Sequence, residues 1–159
     1  MLITREYAET ISRQLLDDAR RELVTFHHVS PCARVLLRSG KIFDFRMAWD
    51  NDLEKIVLLR HVEDFIKGKR AVAGFFVSEI WMSQVAPDDD PDVEPSKMAN
   101  RIEGVSCCCK TANFTFAMYF QFLRMGEALH IVGSEYDMLD ADIRVFGTAF
   151  NNNGGLHDQ

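Results

Sequence analysis

The segment Ala71–Gln84, AVAGFFVSEIWMSQ, is apolar on both of its alternating faces. Ala71, Ala73, Phe75, Val77 and Trp81 fall on one side; Val72, Phe76, Ile80 and Met82 fall on the other. Successive side chains of a strand point to opposite faces. A strand apolar on both faces needs a cover on both faces, so it belongs inside a sheet flanked by other layers. One charge, Glu79, interrupts the run. At 159 residues the chain can build the core that such a strand requires without disulfides.

The rest of the chain supplies the covers. Thr4 is placed to cap a helix over about Arg5 to Val24, in which Ala8, Ile11, Leu15, Ala19 and Leu23 share one face. Its opposite face mixes Glu9, Arg13, Asp17 and Arg20, unlike the basic face of a membrane-surface helix. Pro31 follows a connector and disfavours helix at Ser30. Alternation over Ala33–Arg38 and Phe43–Met47, with Ser39-Gly40 between, predicts a hairpin. Asn51 and Glu54 have capping-box spacing and open a second helix ending near Gly68.

After the Ala71–Gln84 strand the composition changes. Over 86–97 three prolines and five acidic residues predict an exposed acidic loop. Strands are then expected over Arg101–Thr111, Phe114–Phe122 and Ala128–Ser134. In the second of these Phe114, Phe116, Met118, Phe120 and Phe122 take every other position. Leu139, Ile143, Phe146 and Phe150 recur at helical spacing behind Asp137, which predicts a short terminal helix weakened by Gly147. A disordered tail is expected over 151–159. The expected fold is one α+β domain over 1–150, with a mostly antiparallel sheet of about five or six strands and packed helices. Its order is α-β-β-α-β-β-β-β-α.

The segment Phe76-Val77-Ser78-Glu79-Ile80-Trp81-Met82, followed by Pro95-Ser96 and Arg101-Ile102-Glu103, resembles small uncharacterised bacterial and phage proteins. These share an F-V-S-E-x-W strand, a proline-containing loop and a P-S…R-x-E strand. The resemblance covers about Ala71 to Ser106 and implies no activity and no catalytic residue. The cysteine triplet and the acidic loop depart from that pattern.

Glu79 is the best candidate for chemistry, because a carboxylate in an apolar strand must be paired, protonated or functional. A general acid or base at Glu79 is weighed against an ion pair with Arg101, Arg34 or Arg46, and the pair is the more economical expectation. Arg46 and Arg101 are the candidate binding residues beside it. Cys107-Cys108-Cys109 places Cys107 and Cys109 on one strand face, and with Cys32 or His27 and His28 these could bind zinc. No C-x-x-C or H-x-x-x-H spacing accompanies them, so core packing is preferred and no metal or other cofactor is expected. Asp88–Glu94 lacks the register and glycine of a calcium loop. The phenylalanine stripe has no interleaved Lys or Arg, unlike base-stacking strands. No phosphate-binding, dinucleotide or metalloprotease motif is present.

A net charge of -6 argues against nucleic-acid partners and anionic membranes. The start of the chain shows no apolar leader pattern, and no stretch reaches the length of a membrane span. Four cysteines without a disulfide spacing suit a reducing cytoplasm. The expected function is a non-enzymatic protein-interaction module, self-associating or binding a protein partner. A homodimer through the first helix or a sheet edge is the form considered, and a bacterial or phage source is expected. The alternative is a small enzyme or ligand-binding domain with a site around Glu79.

Overall fold

The computed structural model describes residues 2–82, 101–140 and 144–151. Helix α1 (Arg5–Phe26) is followed by strands β1 (Cys32–Leu36) and β2 (Ile42–Arg46), helix α2 (Asp52–Lys69), and strands β3 (Ala73–Met82), β4 (Ile102–Thr111), β5 (Thr115–Met125) and β6 (Ala128–Leu139). The strands form one six-stranded sheet in the order β2-β1-β3-β4-β5-β6. Every neighbouring pair is antiparallel. β2 and β3 therefore run parallel on either side of β1, and α2 makes the crossover that parallel strands need. The result is a single α+β domain.

β3 lies inside the sheet, as its two apolar faces demand. On one face Phe75 and Val77 join Val105, Cys107, Cys109 and the stripe Phe116, Met118, Phe120 and Phe122 under the buried side of α1. Ile11, Leu15, Leu16 and Leu23 of α1 complete that core. Each fully buried large apolar side chain contributes roughly 1.5–3 kcal/mol of transfer free energy. On the other face Phe76 meets Ala33, Val35, Val62, Ile66, Phe146 and Phe150. The helix starts follow their local signals. Thr4 Oγ1 accepts from Tyr7 N at 3.1 Å, and Asn51 Oδ1 accepts from Glu54 N at 2.9 Å. The Glu54 carboxylate reaches back to Asp50 N at 2.7 Å, one residue before the cap.

Three boundaries differ from expectation. α2 runs through Gly68, and the left-handed cap falls on Arg70 (φ 50°). β6 passes Ser134 and continues to Leu139 through an irregularity opposite Tyr119 and Gln121. Among the described residues the terminal helix does not form: Asp137 and Leu139 pair with Tyr119 and Ala117 in the sheet. Residues 145–150 form turns, with Phe146 and Gly147 at φ 64° and 50°. Strand pairing took the first half of that pattern, and left-handed residues break the second. Its spacing nevertheless aimed correctly, since Phe146 and Phe150 are both buried. Ile143, the acidic loop over 86–97 and the tail beyond residue 151 lie outside the described residues.

Candidate functional site

Alternation along β3 puts Glu79 on the α1 face, two residues beyond Val77, where the sheet outruns the helix. α1 ends at Phe26, and His27 (φ 58°) turns the chain back over the strand ends. Glu79 meets that turn. Its Oε1 accepts from Val29 N at 3.4 Å, and its Oε2 lies 3.3 Å from His28 Nδ1. Arg124 of β5 completes the cluster, with Nη2 3.5 Å from Glu79 Oε1. The same guanidinium donates from Nε to both Glu103 oxygens at 3.2 and 3.1 Å. Its Nη1 donates to the His27 carbonyl at 2.9 Å. One arginine thus ties β3, β4 and the end of α1 to β5, and the two carboxylates share it.

The ion pair expected of Glu79 exists, but Arg124 supplies it. Arg124 stands two residues past Phe122 on the face of the phenylalanine stripe. It is the first cation to continue that alternation, and this is the signal that locates it. Arg34 instead grips Asp44 with two hydrogen bonds of 2.8 and 2.9 Å across the β1–β2 hairpin. Arg46 sits on β2 opposite Cys32 and makes no ion pair with Glu79. It lines a small cavity of about 80 Å³ with Cys32, Arg34 and Asp44. Arg101 lies over the half-exposed Trp81 ring, 4.9 Å from its centroid. The two candidate binding arginines therefore stand apart from one another.

The cysteines do not make one metal-ligand set. Val77 separates Cys32 from Cys107, being paired with both. Two strand spacings, roughly 9–10 Å, exceed the reach of thiolates that share a zinc ion. Among the described residues no group of three or more His, Cys, Asp or Glu converges on a metal position. Cys107 and Cys109 are fully buried, and burial pushes the Cys107 thiol up to about 12. Burial also raises Cys109, Cys108 and Cys32. Such thiols are neutral hydrophobes, not nucleophiles.

An acid whose folded pKa is raised stabilises the fold fully below its unfolded pKa, and that contribution is lost as pH climbs through the folded value. Alkaline unfolding is therefore expected to begin between the ordinary thiol range and about 12 for Cys107. A Cys107→Val variant should lose less stability over that window in denaturant titrations at stepped pH. Equal losses in variant and parent would remove Cys107 as a cause.

The larger cavities lie at the opposite end of the sheet. One of about 430 Å³ lies between the start of the chain, the α2–β3 junction and residues 149–151. A second of about 540 Å³ shares with it the β4–β5 turn, Thr111 to Asn113. Glu79 lines neither of these, nor the small one beside Cys32.

No family model, curated protein or solved structure matches the chain. Among the described residues no helix is long and apolar enough to cross a membrane.

Proposed function

We propose that this chain is a non-enzymatic protein-interaction module that self-associates through the outer edge of β6. The observation that carries the reading is the edge itself. β6 is 12 residues long and pairs only with β5 among the described residues. An unpaired strand edge presents a row of free backbone donors and acceptors to another chain. Leu139 and Val132 are 53% and 40% exposed. The opposite edge, β2, has only five residues, follows Lys41 and ends on Arg46, and such charges are a usual protection against pairing.

Of the two surfaces considered for self-association, the apolar stripe of α1 is already spent on the sheet. The alternative site at Glu79 has less support. Its carboxylate is engaged by Arg124, His28 and the Val29 N–H, and an acid or base must be free to meet a substrate. Free cysteines, buried or half-buried, suit a reducing compartment such as the cytoplasm. The acidic balance disfavours nucleic acid as partner.

Light scattering after size exclusion, run over a concentration series, tests the edge. A dimer is expected, and Val132→Lys with Leu139→Lys should return it to monomer without unfolding, because both positions face solvent. Glu135 and Asp137 place like charges on the same strand, so added salt should favour the dimer by screening them. A parent protein that stays monomeric throughout, or a dimer indifferent to the two lysines, would overturn the assignment.

A further inference from the structure

We infer that the cavity between the α2–β3 junction and the β4–β5 turn is a binding site for a small amphiphilic organic anion, a carboxylate with an apolar body. The inference does not depend on the β6 edge. The cavity measures about 430 Å³, within the range of small-molecule sites. Its floor is apolar, with Ile3, Ile66, Val72 and Phe150. Its rim carries three cations, Arg38, Lys67 and Arg70. Among the described residues no Asp or Glu lines it, although the chain holds 24 acidic residues against 18 Lys and Arg.

The pairing of these cations sharpens the point. Lys67 is held by Glu63 at 3.1 Å, and Lys110 donates to the Gly147 carbonyl at 2.6 Å. Arg5, Arg21, Arg34 and Arg124 each hold a carboxylate. Arg38 and Arg70 have no ion pair and no side-chain hydrogen bond among the described residues, and both line the one cavity. Two guanidinium groups with no counter-charge among the described residues, set over an apolar floor, suit a ligand with a charged head and an apolar body. Guanidinium is the side chain best shaped to bind a carboxylate with two hydrogen bonds.

The end of α2 fixes where the second guanidinium group stands. Arg70 occupies the left-handed region at φ 50°, ψ 52° as the cap of α2, a conformation that glycine adopts without strain and arginine does not. Gly68, two residues earlier, lies within the helix, where glycine is a poor helix former. Local preference would exchange these two roles. His27 caps α1 in the same left-handed region (φ 58°), so the strain at Arg70 does not itself point to a ligand. The cap delivers Arg70 to the cavity rim.

Isothermal titration of the full chain with decanoate tests the site. Decyltrimethylammonium and inorganic phosphate are the comparison ligands. Saturable one-to-one binding of decanoate is expected, weakened about tenfold or more by Arg38→Gln or Arg70→Gln through loss of a charge-assisted bond. Arg60→Gln, on α2 but outside the cavity, should bind as the parent does. Arg70→Gly should weaken decanoate binding yet raise the melting temperature by relaxing the cap. No saturable binding, or equal binding to the Gln variants, would overturn the site. Equal affinity for the cationic amphiphile or for phosphate alone would overturn the ligand class.

Discussion

Phe75→Ala is expected to destabilise the protein by about 3–5 kcal/mol, the usual loss for deleting a buried aromatic ring. Phe75 is fully buried, faces α1 from the central strand, and stands beside Cys109 of β4. Its neighbours belong to α1, β4 and β5 at once, so a cavity there cannot be closed by moving one element. Urea titration should show a lower midpoint with an unchanged slope, the signature of a change in stability alone. Trp81→Ala on the same strand face is the control. That ring is 43% exposed, and its loss should cost far less. Similar losses at the two positions would mean that α1 does not cover β3 as described.

Gly74→Val is expected to destabilise by about 1–3 kcal/mol, the usual penalty of overpacking, against a local preference of opposite sign. Valine favours strands and glycine weakens them, so the sequence alone would predict a gain. In the structure a Cβ at residue 74 would come within 2.8 Å of the Phe146 ring and 3.2 Å of Phe150. Both rings are buried against β1, β3 and α2, so neither can move aside cheaply. The substitution should lift residues 145–150 from the sheet and expose apolar surface, read as dye binding together with the lower urea midpoint. Phe146→Ala in the same background should recover part of the loss, because the two residues touch and their effects are not additive. An unchanged or raised midpoint for Gly74→Val would show that this segment is not packed there.

The local pattern of the chain carries much of the architecture. The two-faced strand, the helix caps at Thr4 and Asn51, the β1–β2 hairpin and the phenylalanine stripe are all periodic or capping signals. Each depends on residues within one turn or one strand, so each is legible without the fold. The eight elements and the antiparallel sheet follow from them. The Tyr136–Leu139 stretch was not legible, because helical spacing and strand alternation overlap there and pairing with β5 decides between them. The cap of α2 was misplaced for a related reason. Gly68 is the better terminator by intrinsic preference, but packing of Ile66 and the joint to β3 carry the helix to Lys69.

The candidate residues divide in the same way. That Glu79 needed a partner was plain from its apolar neighbours, since an unpaired charge there is costly. That the partner is Arg124 depends on strand register, which brings residues 45 positions apart to 3.5 Å. The gathering of Arg38 and Arg70 around one cavity is likewise invisible in sequence, where nothing links a hairpin turn to the end of a helix 32 positions later. By itself the sequence determined most of the helix and strand segments up to Ser134 and which of their faces are apolar, because those are set by local geometry and solvation. Only the tertiary structure decided which charges meet, which residues line one cavity and which strands lie at the edges of the described sheet, because those depend on distances between segments remote along the chain.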